Sequence, residues 1–325
     1  MALVDQTFSS VFIPGLKRSV SRIGFGCEPL GGFNWGKVDV SEIQEAICKA
    51  IDGIEADKAI IFDTSDTYGP FLSEERLGEA LIGRTEKAVI STKFGVRLDN
   101  GKVCYDNSAS YADQALDSSL ERLKIDAIDI YQLHWPDEKT RLTDILTVLE
   151  KFCEEGRIKT YGVCNIAPEK ISPLISDFPS LASFSNSHSL IDRKNAEKIR
   201  ALCDRGMVFI AYGCLAQGLL TGKYNLKTYF GDNDRRSLER YKKFHGENFL
   251  RNLEVVNYLK NKAEILDCSI SALALKFVLA DLEGAIALAG IKSAEQWFQN
   301  SQAVRSPLSS ELYSDLLDFS NEALS

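Results

Sequence analysis

Short apolar runs recur along the chain, and stretches with helical spacing of apolar positions lie between them. The runs "RIGFG" (22–26), "AIIF" (59–62), "AVIST" (88–92) and "AIDIYQL" (127–133) read as strands. "IKTYGV" (158–163), "LASF" (181–184), "MVFIAY" (207–212) and "AIALAG" (285–290) bring the number to eight. Runs this short and this uniformly apolar suit parallel strands covered on both faces. Between them, Leu142, Ile145, Leu146, Leu149, Phe152 and Cys153 fall on one helical face with charges opposite. Ala112, Leu116, Ser119, Leu120 and Leu123 do the same before the fourth run. Strand–helix alternation calls for parallel strands joined by crossover helices. Eight units in about 300 residues match a closed (β/α)8 TIM barrel better than an open sheet. No linker rich in Pro, Gly or Ser interrupts the pattern. One α/β domain over residues 1–325 is therefore expected, with its active site at the C-terminal face of the barrel.

Two segments depart from the alternation. Residues 93–110 contain "RLDNGKVCYDN", where Asn100-Gly101 predicts a turn. Residues 213–248 form a polar stretch that includes "DNDRRSLERYKK". Both follow strands, so both belong on the C-terminal face, where long loops serve as lids. The glycine-rich "GFGCEPLGG" (24–32) invites comparison with the dinucleotide fingerprint. That motif needs G-x-G-x-x-G opening a helix, but here Pro29 holds the third glycine position and a helix begins only near Ser41. A Rossmann fold is not expected.

Composition narrows the function classes. The formal net charge is −8 with no basic stripe to offset it, which argues against nucleic acid as a partner. No run approaches eighteen apolar residues, so no membrane span is expected. The opening "MALVDQTFSSVFIPG" lacks the charged and apolar regions of a signal peptide, and a cytoplasmic location is expected. Eight cysteines without C-x-x-C spacing read as small buried hydrophobes in a reducing compartment. The three histidines lie far from one another and from any cysteine, so no metal site is expected.

The chemistry concentrates at strand ends. Asp63 follows the second run, with Tyr68 five residues later, while Lys93 and His134 follow the third and fourth runs. In a barrel all four converge on one face. A carboxylate leaving the core needs a partner, because an unpaired buried charge is costly. Lys93 is the candidate. A phenol that gives a proton, a lysine that stabilises the phenolate and a histidine that polarises an oxygen suit acid–base work on a carbonyl.

These strings also carry a resemblance. In "FDTSDTYG" (62–69), "STKFG" (91–95), "IDIYQLHWPD" (128–137) and "GRIKTYGVCN" (156–165), the chain resembles an aldo-keto reductase. The likeness continues in "AYGCLAQGLLTGKY" (211–224), "GENFLRNLEVV" (246–256) and "GIKSAEQWFQN" (290–300). The resemblance implies a catalytic tetrad of Asp63, Tyr68, Lys93 and His134. It also implies hydride transfer from a nicotinamide dinucleotide lying extended in the barrel mouth. Cofactor contacts are then expected from Gly26, Cys27, Asp63, Cys164 and Asn165, and from Ser185, where relatives carry glutamine. Asn186 is the candidate to replace the lost amide, and His188 stands at the usual tyrosine. Tyr212 matches the ring that stacks on nicotinamide, and Gly213, Leu215, Gln217, Gly218 and Lys223 follow it. Gly290, Lys292, Ser293, Gln296 and Asn300 match the adenosine end. Lys292 beside a helix start suits a 2′-phosphate, which sets NADP(H) ahead of NAD(H) as the expected cofactor. Trp35, Phe33, Phe94 and Trp135 are expected to line the pocket for a small carbonyl or alcohol substrate. The alternatives are an NAD-dependent sugar dehydrogenase working oxidatively and a dinucleotide-sensing subunit of the same fold.

Overall fold

The eight apolar runs lie side by side as a closed parallel barrel. This computed structural model describes residues 9–99 and 102–325. A short hairpin of β1 (Ser10–Ile13) and β2 (Arg18–Ser21) comes first. The barrel strands are β3 (Ile23–Gly26), β4 (Ile60–Asp63), β5 (Ala88–Phe94) and β8 (Ile128–Leu133), then β9 (Ile158–Cys164), β10 (Leu181–Ser187), β11 (Val208–Tyr212) and β12 (Ile286–Gly290). They pair in chain order, and β12 closes on β3. The outer helices include α1 (Val40–Gly53), α2 (Leu72–Ala80), α3 (Ala109–Leu123) and α4 (Leu142–Glu154). They continue with α5 (Pro168–Ile171), α6 (Ala196–Cys203), α7 (Gly246–Ile265), α8 (Ile270–Asp281), α9 (Ala294–Ser301) and α10 (Ser310–Leu324). The periodic faces of α3 and α4 pack inward as their spacing predicts.

Along each strand, alternate side chains point into the barrel. At its N-terminal end these are Ile61, Val89, Ile130, Ile210, Ile286 and Leu288. Ile13 and Val20 of the β1–β2 hairpin cap this layer from below, both fully buried. The sequence reading missed that hairpin, although Pro14-Gly15 marks its turn. Gly24 faces the same layer, where a Cβ would collide with Ile61 and Leu288. Toward the other end the inward positions turn polar, through Ser91, Gln132 and Ser185 to Asp63 and Lys93, all buried.

Residues 213–248, read as a long polar loop, fold into short 3-10 turns before α7 begins. Asp234 forms an antiparallel bridge with Trp35, and Arg235 N donates to Asn34 O at 3.2 Å, so this strap spans the barrel mouth. Residues 93–110 carry a second hairpin of β6 (Val96–Asp99) and β7 (Lys102–Tyr105); its Asn100-Gly101 turn lies outside the described residues. Among the described residues no helix is long and apolar enough to cross a membrane.

Candidate active site

Asp63 ends β4 beside Ser91 of β5, and two residues further along β5 the side chain of Lys93 comes back to it. Lys93 Nζ donates to Asp63 Oδ1 at 2.5 Å and to Thr64 O at 2.7 Å. The other carboxylate oxygen accepts from Ser91 Oγ at 2.9 Å and Gln132 Nε2 at 3.3 Å. Burial disfavours the Lys93 ammonium most, but Asp63, with smaller help from Tyr68 and Cys164, raises its pKa, so Lys93 stays charged.

Tyr68 lies in the loop after β4, and its neighbour fixes its place. Gly69 has φ of 66° and packs backbone to backbone against Gly31 of the β3 loop, with no room for a Cβ on either side. The Tyr68 ring then sits 5.2 Å from Lys93 Nζ and 6.0 Å, edge-on, from the His134 ring. Burial pushes the phenol pKa well up; Lys93 opposes this, while Glu28 and Asp63 add to it. The expected lowering by Lys93 has the right sign and is outweighed by desolvation. Tyr68 therefore holds its proton. Burial and then Lys93 lower His134 to about 3, which leaves a neutral imidazole. Its Nδ1 lies 3.2 Å from Ser65 Oγ. Its backbone oxygen accepts from Asn165 Nδ2 at 2.9 Å, and Tyr212 OH donates to Asn165 Oδ1 at 2.5 Å.

Several residues sit elsewhere than expected. Cys164 and Ser185 are sealed in the barrel, where both donate to Gln132 Oε1, at 3.2 and 2.8 Å. Their short side chains reach the Gln132 amide beneath and not the mouth. Phe94 is fully buried and stacks on Tyr131 at 4.8 Å. It follows Lys93 on the strand, so the period of two turns it outward to the helices. Asn186 Nδ2 donates to Ile166 O, and His188 is buried on Asp281, which also accepts from Tyr313 and Arg200.

A cleft of about 340 Å³ starts at Asp63 and Tyr68 and passes Gly26, Cys27 and Tyr212. It continues along Gly213, Leu215, Gln217, Gly218 and Lys223 to Gly290, Lys292, Gln296 and Asn300. Ser293 instead caps α9, accepting from Gln296 N at 3.3 Å. Gly213, Ala216, Gln217 and Gly218 all have positive φ, and Ala216 N and Gly218 N donate to Gly213 O and Leu215 O, which winds this loop tightly beside the cleft. Gln217 Oε1 is buried without a hydrogen-bond partner among the described residues. Lys223, Lys292 and Arg236 crowd this half, and the nearby carboxylate, Asp234, is already taken by Arg236. Burial, Arg236 and Lys292 together lower Lys223 to about 8. Lys292 Nζ donates to Trp35 O at 2.7 Å. The sequence reading missed Arg236, which sits in a charged run with nothing local to show that it faces the cleft. It also missed the Glu28–Arg235 ion pair, 2.5 Å long, which ties the β3 loop to the strap. Arg235 stacks on Trp35 at 4.8 Å, and Trp135 lies on the rim beside Tyr105. A long cleft with a polar cluster at one end and unbalanced cations at the other fits an extended phosphate-bearing dinucleotide.

Comparison with known proteins agrees with this geometry. The chain is 29% identical to aldo-keto reductase YhdN of Bacillus subtilis, over 95% of this chain and 92% of that one. It is also 29% identical to aldo-keto reductase yakc [NADP(+)] of Schizosaccharomyces pombe, over 90% and 86%. The solved structure of the glycerol dehydrogenase AKR11B4 from Gluconobacter oxydans superposes with a TM-score of 0.87 at 30% identity, covering 100% of this chain and 97% of that one. The model of the aldo/keto reductase family matches residues 22–320, and the chain belongs to that family of oxidoreductases.

Proposed function

We propose that this chain uses NADP(H) to interconvert a small carbonyl compound and its alcohol, with Asp63, Tyr68, Lys93 and His134 as the catalytic set. The bound dinucleotide supplies or accepts a hydride. In the reducing direction Tyr68 gives its proton to the carbonyl oxygen. Lys93, 5.2 Å from that ring, stabilises the phenolate left behind, and Asp63 holds Lys93 in place. Neutral His134 orients the same oxygen by a hydrogen bond. The observation that carries this reading is the buried Lys93–Asp63 pair set under Tyr68 at one end of the cleft.

The three cations at the far end support a dinucleotide with an extra phosphate, in keeping with the NADP(+) in the name of the Schizosaccharomyces pombe relative. Glu28 and Arg235 put a carboxylate and a guanidinium at the mouth, which favours a hydroxylated substrate over a purely apolar one. The similar solved structure of a glycerol dehydrogenase supports a second reading, in which the same site runs oxidatively, as a nicotinamide-dependent dehydrogenase of polyols or sugars. Free cysteines accord with a reducing, cytoplasmic setting.

The test is a panel of aldehydes, ketones and polyols with NADPH, NADH and their oxidised forms. Reduction of hydroxyaldehydes with NADPH is expected to exceed reduction with NADH. Tyr68→Phe should cut kcat by about a hundredfold or more, since a positioned acid contributes about 10² to 10⁴. Its dinucleotide Kd should stay within about twofold, because a hydroxyl adds little to that contact. A variant keeping more than about a tenth of wild-type kcat would remove Tyr68 from this role.

A further inference from the structure

Asp66 lies three residues past Asp63, is 2% exposed, and forms no ion pair among the described residues. Glu74 of α2 acts on it as a like charge. Arg122 of α3 is within reach, but its Nε is engaged by Glu74 Oε2 at 2.7 Å. Tyr111 of α3 and Tyr131 of β8 face the same spot and add no positive charge. Burial and then Glu74 push the Asp66 carboxyl well above the usual carboxylate range, while its contacts with Ser65 and Thr67 and the charge of Arg122 only moderate the rise.

Ser65 Oγ lies between this carboxyl and the His134 ring, 3.0 Å from Asp66 Oδ1 and 3.2 Å from His134 Nδ1. Thr67 N donates to it at 3.2 Å, and Thr67 Oγ1 is 3.1 Å away. A hydroxyl has one proton to give, and a neutral imidazole has one ring proton. If Ser65 donates to an ionised Asp66, Nδ1 has to donate to Ser65, and Nε2 presents a lone pair. If Asp66 keeps its proton and donates it to Ser65, Ser65 donates to Nδ1, and the ring proton sits on Nε2. That nitrogen has no partner among the described residues. Only the second arrangement offers an N–H to a substrate oxygen.

We propose that Asp66 and Ser65 are positioning residues, a two-member relay that holds His134 in the tautomer with its proton on Nε2, toward the substrate oxygen. The proposal rests on the role given to His134 above. As pH rises through the Asp66 pKa, the carboxyl ionises, Ser65 turns its proton toward it, the tautomer flips and the substrate oxygen loses its donor.

The test pairs kcat–pH profiles with 15N NMR of the His134 ring, assigned with a His134→Gln variant. In the wild type the ring should change from the Nε2–H to the Nδ1–H tautomer as pH rises. Over the same interval kcat should fall about tenfold or more. Asp66→Asn, whose amide N–H donates at every pH, should erase both changes. Ser65→Ala should lower kcat across the range with little effect on KM for the dinucleotide. Identical profiles for wild type and Asp66→Asn, or an Nδ1–H ring throughout, would overturn the relay. The NMR signal needs no turnover. A pH-switched tautomer in a chain that reduces nothing would therefore keep the relay and sink the proposed function, whereas an active enzyme with a pH-independent tautomer would sink the relay alone.

Discussion

Lys223 lines the cleft with other cations as its strongest charged neighbours, and that arrangement makes it responsive to an incoming anion. In the free chain its pKa is lowered to about 8, by burial and then by Arg236 and Lys292. A phosphate oxygen beside it raises that value again. Dinucleotide affinity should therefore be level below about pH 8 and fall as pH rises through the interval between the free and bound pKa values, with proton uptake on binding there. Calorimetric titration at pH 9 in buffers of different ionisation enthalpy reads the uptake directly. Absence of any buffer dependence at that pH would mean Lys223 does not face the cofactor phosphates. At this scale the sequence revealed the ionisable groups well. Asp63 and Lys93 were legible because a charge that ends an apolar run has to be answered by another. Phe94 was misread because adjacency to Lys93 says nothing about which face a strand residue takes. Cys164 and Ser185 were misread because nothing local shows that Gln132 stands beneath them to take up their hydrogen bonds.

The elements were legible to different degrees, for a physical reason. The barrel strands are mostly buried on both faces and so show as runs that are largely apolar. The β1 strand has three apolar residues in a row but exposes Phe12 and ends at Pro14, so its run is too short to stand out. The strap was visible as a long charged loop, yet its closure depends on contacts across 207 residues, between Arg235 and Glu28. That ion pair is part-exposed, so its contribution is modest, and it ties the strap across the mouth of the cleft. Glu28→Gln should raise the dinucleotide off-rate by about two- to fivefold in stopped-flow measurements. An unchanged off-rate would show that the strap is held by its Trp35 contacts alone.

Taken whole, the barrel separates stability from chemistry along its axis. The apolar layer around Ile61 and Ile286 fills one end and is capped by the hairpin, while the charged cluster occupies the other. Ile13→Ala should destabilise the fold by about 2–5 kcal/mol in denaturant titrations through the cavity it leaves. KM values of the surviving folded enzyme should not change, and a changed KM would show that the two ends are mechanically coupled. The strap has an optical consequence as well. The chain has three tryptophans: Trp35 bridged to the strap, Trp135 on the rim, and Trp297 stacked 5.7 Å from Phe25 of β3. Of these, Trp35 lines the cleft itself. The ultraviolet emission of the unlabelled protein is therefore a gauge of its own mouth, dimming by energy transfer when a reduced nicotinamide ring arrives and shifting in colour when Trp35 loses its arginine neighbours.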